Sequence, residues 1–118
     1  MSEMDNQYQS LLDESSADSI LKKMSVPGLC RKWSGRFAVI IKDLAKEQNL
    51  DLEVECREVD VTYGLSHTFV RIRINGEKSY LCDGVGVGGH EPYFGSENEA
   101  PSHLRDSRID YIELIKLG

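Results

Sequence analysis

Cys30, His67 and Asp83 are the three residues whose types and order could together activate a thiol. A thiol reacts as its thiolate, so it needs a neighbouring base, and an imidazole base needs a third group that fixes its tautomer and ring orientation. Each residue falls on a different predicted element: Cys30 in the first turn of a helix, His67 at the start of a strand, and Asp83 at the end of the next strand. This order predicts chemistry on an acyl group, in which the Cys30 thiolate attacks an amide carbonyl.

The surroundings of Cys30 predict a reactive thiol, and a packing role fits them as well. Unpaired N–H groups and the dipole at the first turn of a helix favour a thiolate, and Arg31 and Lys32 add positive potential, so we expect a lowered pKa for Cys30. The alternative is that Cys30 is a small core residue, since it shares a helical face with Trp33 and Phe37. Both interpretations stay open.

His67 is placed by the alternation of the strand that it begins. Period-two alternation puts it on the same face as Phe69 and Arg71, from where its ring can point toward a helix terminus and accept a proton near neutral pH. If the helix covers only the opposite face, His67 is a solvent-exposed strand residue.

Asp83 is placed by the hairpin that precedes it. Asn75-Gly76 is the strongest short hairpin signal, since both turn residues tolerate positive φ. Antiparallel pairing about this turn puts Asp83 opposite about Thr68 and next to His67, where its carboxylate could hold the imidazole. The alternative is a turn-forming Asp-Gly pair at the end of the strand.

The first half of the chain reads as helical. Residues 1–15 are predicted to be a flexible or short helical arm, and Ser16 or Asp18 can cap a short helix that follows. Apolar residues at spacings of three and four then predict a longer helix over Leu29–Gln48.

The second half reads as an antiparallel sheet of about four strands, so the fold class is α+β, with the helices packed on the sheet. Glycines and prolines predict an irregular loop from Gly84 to Ser107, and apolar residues between Ile109 and Leu117 predict a final strand. We expect residues 1–118 to form a single domain.

Three segments follow a known pattern: GLC at 28–30, HTFVRIRI at 67–74 and SYLCDG at 79–84. The stretch that they span resembles the transglutaminase-like core of the papain-like superfamily, in which a glycine and a cysteine open a helix, a histidine opens a strand and an aspartate ends the following strand. The resemblance implies Cys30 as nucleophile, His67 as general base and acid, and Asp83 as the orienting group.

Two further residues are expected to contact the substrate. Members of the superfamily often have an aromatic residue directly after the cysteine; this chain has Arg31 there and Trp33 two positions later. The glycine-rich segment GVGVGGHEPYFG is expected to shape one wall of the cleft, with His90 as a substrate contact.

Composition excludes several classes of protein. A net charge of −6 and an isoelectric point near 5.0 argue against nucleic-acid binding and favour a basic partner. No apolar run is long enough to cross a membrane, and no classical export signal is visible. Three cysteines are an odd number, so at least one thiol is expected to stay free, which fits the cytoplasm. No close ligand pair such as Cys-x-x-Cys occurs, so no metal is expected, and no cofactor is expected either.

Two functions from different classes follow from these features. The first is a cysteine enzyme acting on an amide of a protein or peptide substrate; the resemblance suggests a glutamine side chain or a peptide bond. Water would make the enzyme a deamidase or peptidase, and an amine would make it a transglutaminase. The second is an inactive transglutaminase-like module that binds a partner protein. The sequence does not predict the oligomeric state.

Overall fold

The computed structural model describes residues 3–26, 28–60, 66–86, 91–105 and 108–109. Its helices are α1 (Glu3–Ser15), α2 (Ser19–Lys23), α3 (Cys30–Glu47) and α4 (Ser102–Arg105), with a 3-10 helix at Glu97–Glu99. Its strands are β1 (Leu52–Asp60), β2 (Ser66–Ile74), β3 (Lys78–Asp83), β4 (Tyr93–Ser96) and β5 (Arg108–Ile109).

The strands form one antiparallel sheet in the order β4-β3-β2-β1-β5. Strand β5 has only two residues, and the rest of the predicted final strand lies outside the described residues. Helices in the first half and an antiparallel sheet in the second give the α+β class that the periodicity predicted. Within the described residues, no helix is long and apolar enough to cross a membrane.

Helix α3 carries the predicted apolar stripe and contributes it to the larger of two hydrophobic clusters. The predicted bounds, Leu29 to Gln48, are confirmed to within one residue at each end. The buried members of this cluster come from α1, α2, α3 and one face of β2 and β3: Tyr8, Leu11, Leu21, Trp33, Phe37, Ile41, Val70, Ile72, Ile74, Tyr80 and Cys82. Ser34 of α3 also donates a hydrogen bond from Oγ to the carbonyl of Thr68 at 3.1 Å, which joins this helix to the beginning of β2.

The hairpin between β2 and β3 forms at Asn75-Gly76, with φ of 54° and 69° at the two residues. Its register differs from the predicted one, because Ile74 pairs with Lys78 and the turn therefore holds three residues instead of two. The last pair, Val70 with Cys82, puts Asp83 level with Phe69 and not with Thr68. A shift of one residue moves a side chain to the other face of the sheet, so this register is what puts Asp83 on the face of His67.

The stretch from Gly84 to Ser107 was predicted to be an irregular loop, and this prediction is wrong for much of it. Strand β4 extends the sheet beside β3, and the 3-10 helix and α4 follow it. Ala100 and Leu104 are buried with Val59, Phe69 and Leu81 in the second cluster, which covers the face that also carries His67. Such short elements give little periodicity of their own, so only their tertiary contacts reveal them.

The N-terminal arm is a helix with a buried side. Leu11 is fully buried, and the ring of Tyr8 stacks on that of Tyr80 with 3.8 Å between centroids. Helix α2 is capped as predicted, because the carboxylate of Asp18 accepts a hydrogen bond from the N–H of Leu21 at 2.7 Å. The first two helices therefore belong to the packed part of the chain.

Candidate active site

Cys30 is the first residue of α3, and the turn before it leaves the helix end without a capping side chain. Gly28 adopts φ of +90°, a conformation that favours glycine, and Leu29 at the N-cap position makes no side-chain cap. The first N–H groups of a helix have no acceptor within the helix. They remain available to a sulfur anion or to an oxyanion beside it.

Cys30 is partly exposed, and its sulfur lies among hydrogen-bond donors. It interacts with the imidazole of His67 and with the backbone N–H groups of Thr68 and Arg31. The alternative of a sealed core residue does not describe this environment, since Cys30 stays outside the buried clusters. Both other cysteines, Cys56 and Cys82, are fully buried.

His67 lies between the thiol and a carboxylate. Its Nε2 is 2.9 Å from Oδ2 of Asp83, and only 4% of the residue is exposed. The alternative of a solvent-exposed strand histidine is therefore wrong. Because Asp83 engages Nε2, Nδ1 is the ring nitrogen left for the thiol. Phe69, two residues along the same face, supports the ring with 6.3 Å between centroids.

Asp83 fills both of the roles that the sequence left open. Its Oδ2 faces the imidazole, while its Oδ1 accepts hydrogen bonds from the N–H groups of Val85 at 3.1 Å and Gly86 at 3.0 Å. The carboxylate is almost completely buried, so these bonds define its position. The turn-forming Asp-Gly pair is thus the device that aims the carboxylate at His67.

The thiol and the imidazole shift the pKa of each other in opposite directions. The hydrogen bond to His67 is the main cause that lowers the pKa of Cys30, helped by the backbone N–H groups and opposed by partial burial. Burial lowers the pKa of His67, but hydrogen bonds to Asp83 and Cys30, together with the charges of both, raise it to about 9. Each group is thus biased toward its charged form, so the arrangement favours a thiolate–imidazolium pair.

Trp33 supports the segment that follows Asp83. A side chain on Gly84 would overlap the indole ring, and the Ser25 hydroxyl donates a hydrogen bond to the carbonyl of Gly84. Trp33 is itself buried, and it meets Phe37 face to face at 4.8 Å. Its contacts in the structure are with the protein, and its role as a substrate contact stays a prediction.

An apolar groove of about 510 Å³ begins beside Trp33 and Gly84 and continues between α1, α2 and β4. Phe94 of β4 lines it and is 42% exposed. The second predicted substrate contact, His90, lies outside the described residues. Among the residues that are described, no group of three His, Cys, Asp or Glu side chains could hold a metal ion.

Sequence reasoning missed the backbone groups of this site. The N–H groups of Thr68, Val85 and Gly86 hold the sulfur and the carboxylate, and a backbone group leaves no residue-type signal. In the sequence, the pair Asp83-Gly84 and the nearby Gly86 indicate that a turn follows Asp83.

Neither a protein-family model, nor a curated protein, nor a solved structure matches this chain. The geometry of the site is therefore the basis for its functional assignment.

Proposed function

We propose that this protein is a thiol-dependent acyl-transfer enzyme that acts on an amide through Cys30, His67 and Asp83. The observation that carries the proposal is the chain of contacts from the thiol of a partly exposed Cys30 at a helix N-terminus, through a buried imidazole, to a carboxylate 2.9 Å from the ring. Nucleophile, base and orienting group are all within reach of their partners, which is the arrangement that cysteine chemistry requires.

In the first step the Cys30 sulfur attacks the carbonyl carbon and a C–S bond forms. The carbonyl oxygen takes the negative charge, and the backbone N–H of Cys30, in the first turn of α3, would be one donor to it. The imidazolium of His67 then gives its proton to the leaving nitrogen as the C–N bond breaks, leaving a thioester on Cys30 and a neutral imidazole. Asp83 holds the ring in the required tautomer throughout.

In the second step neutral His67 takes a proton from the incoming nucleophile, which attacks the thioester carbon. The C–S bond then breaks and Cys30 leaves as a thiolate, which restores the thiolate–imidazolium pair. Water gives a carboxylic acid, so a side-chain amide is deamidated or a peptide bond is cut, and an amine gives a new amide. The proposal covers the two outcomes, since both use the same three residues.

The α+β order and the antiparallel sheet also support the finer assignment, a transglutaminase-like core of the papain-like superfamily. In that core the cysteine begins a helix, the histidine begins a strand and the aspartate ends the next one, and α3, β2 and β3 follow this order. We therefore propose the transglutaminase-like core as the fold in which this chemistry takes place.

Alkylation at controlled pH tests the reactive thiol directly. Wild-type protein is treated with iodoacetamide between pH 6 and 7, and labelled sites are mapped by mass spectrometry against an unstructured cysteine peptide. We expect Cys30 to react faster than the peptide, and Cys56 and Cys82, which are buried, to stay unlabelled. His67→Ala should bring Cys30 to the rate of the peptide or below it.

Catalysis is tested with blocked glutamine peptides, by ammonia release and by incorporation of a primary amine, and with a protein digest for peptide-bond cleavage. Cys30→Ala should abolish turnover, and His67→Ala should reduce it by about 10² to 10⁴. Circular dichroism and urea unfolding establish that both variants are folded. A Cys30 thiol that labels no faster than the free peptide would refute the proposal and leave the partner-binding module as the remaining function.

A further inference from the structure

A second groove, of about 740 Å³, lies along the outer side of α3 and reaches the immediate neighbours of Cys30. Met24 lines it from the end of α2, and the remaining lining residues share one helical stripe that starts at Gly28. Gly35 in the middle of the stripe contributes no side chain, so the groove is open to an extended segment there. An extended chain that passes the sulfur can therefore continue along α3.

The charges of this groove are positive at the end near Cys30. Arg31 and Lys32 line that end, and Lys32 is exposed and makes no ion pair within the part of the chain that the structure describes. Asp43 is the acid at the other end, about 20 Å from Cys30 along a helix that rises 1.5 Å per residue.

Arg36 adds little to this field, because its guanidinium is already paired with Asp18 at 2.8 Å. The positive end is therefore due mainly to Lys32 and to the N-terminal dipole of α3, which both act next to the sulfur.

We propose that the reacting amide belongs to an acidic peptide segment, with Asp or Glu two to four residues from the reacting residue, and that this segment binds along α3 with its acids against Lys32. This inference rests on the proposed function, whose substrate class it specifies. An acid two to four residues from the reacting residue can reach Lys32, since an extended peptide advances about 3.3 Å per residue and the lysine side chain extends from the helix to meet it.

The inference runs against the net charge of −6, which by itself favours a basic partner. Salt screens exposed charges over about 8 Å at physiological ionic strength, so acids on distant surfaces act weakly at Cys30, whereas Lys32 acts at short range. The local charge of the groove should decide the preference.

Protection of Cys30 from iodoacetamide measures binding without requiring turnover. Two blocked seven-residue peptides with a central glutamine are compared. The first has two Glu before the glutamine and two after it, and the second has Lys in place of all four Glu. The assay is run at pH 8.5, where an ordinary thiol also reacts, so that the ranking can be read even if the proposed function fails. We expect half-protection at a concentration at least fivefold lower for the Glu peptide.

Charge reversal on α3 supplies the variant and its matched control. Lys32→Glu should remove or invert the preference, while Lys46→Glu, the same change about 24 Å from Cys30 along the helix, should keep it. A second measurement needs no peptide. The rate of Cys30 alkylation by anionic iodoacetate is divided by its rate of alkylation by neutral iodoacetamide. Both reagents react with the same thiolate, so the thiolate fraction cancels in this ratio. This ratio should fall about threefold to fivefold in Lys32→Glu and stay unchanged in Lys46→Glu.

Equal protection by the two peptides, or better protection by the Lys peptide, overturns the inference while leaving a fast-reacting Cys30 intact. Conversely, a Glu preference at pH 8.5 that depends on Lys32, found with a Cys30 that labels no faster than the free cysteine peptide between pH 6 and 7, overturns the proposed function and keeps the groove as a binding site for acidic peptides.

Discussion

Replacing Asp83 by asparagine removes one charge from the site with almost no change of shape. The carboxylate accepts from the imidazole on one oxygen and from two backbone N–H groups on the other. An amide has a single oxygen, so the substituted side chain can satisfy either His67 or the turn, and its NH₂ group must face the remaining donor. Either the ring of His67 loses the acceptor that orients it, or the N–H groups of the turn after Asp83 lose theirs.

The size of the effect follows from the pKa of His67. A rise from 6.5 to about 9 corresponds to roughly 3 kcal/mol of preference for the imidazolium, at about 1.4 kcal/mol for each pH unit. The hydrogen bond to Asp83 is the largest of the contributions that raise this pKa, and a hydrogen bond to a charged group contributes about 1.5 to 3 kcal/mol. Its loss should lower the equilibrium constant for the thiolate–imidazolium pair at least tenfold.

The assay is the rate of Cys30 alkylation by iodoacetamide between pH 5 and 10, with urea unfolding as the measure of stability. In Asp83→Asn we expect a rate about tenfold below wild type at pH 6.5, a rising limb displaced to higher pH, and a loss of about 1 to 3 kcal/mol in the free energy of unfolding, since a buried donor is left without its acceptor. Asp51→Asn, the same change at an exposed aspartate, is the control.

A wild-type pH profile in Asp83→Asn would refute this reasoning, because it would mean that the carboxylate has no influence on the thiol. A loss of stability with an unchanged profile would show that Asp83 serves only the turn.

Three further outcomes are expected. Gly84→Ala should cost about 1 to 3 kcal/mol of unfolding free energy in urea, because the added methyl group overlaps the Trp33 indole; an unchanged midpoint would contradict that packing. Tyr8→Ala should cost about 3 to 5 kcal/mol, since it empties a buried site stacked on Tyr80, whereas Tyr8→Phe should cost less than about 1; equal effects would show that the hydroxyl matters more than the ring. Turnover should fall as pH rises through about 9, because the raised pKa keeps His67 protonated, and able to supply the leaving group, only below that value; a profile that keeps rising to pH 10 would exclude this role.

The long helix and the hairpin turn could be predicted because their signals are local. The stripe of Trp33, Phe37 and Ile41 repeats every three or four residues, and Asn75-Gly76 adopts the positive φ values that such a pair tolerates. The elements between Gly84 and Ser107 could not be predicted, since β4 and α4 are short and depend on burial against β3 and on Phe69 and Leu81.

For the candidate site, the residue types and their order along the chain could be predicted, and their meeting in space could not. The predicted register put Asp83 level with Thr68, on the face away from His67, and one extra residue in the turn reverses this. Turn length depends on how both strands pack over their whole length, so a two-residue signal does not determine it.

By itself, the sequence determined the α+β class, the helix that begins at Cys30, and the three side chains that we propose act on an acyl group. Only the tertiary structure decided that Cys30 is partly exposed, that the imidazole is buried beside it, and that the carboxylate reaches the ring. The physical reason is that periodicity and turn preference act between near neighbours in the chain, while exposure, strand register and the pKa of a thiol depend on residues that folding brings together from distant positions.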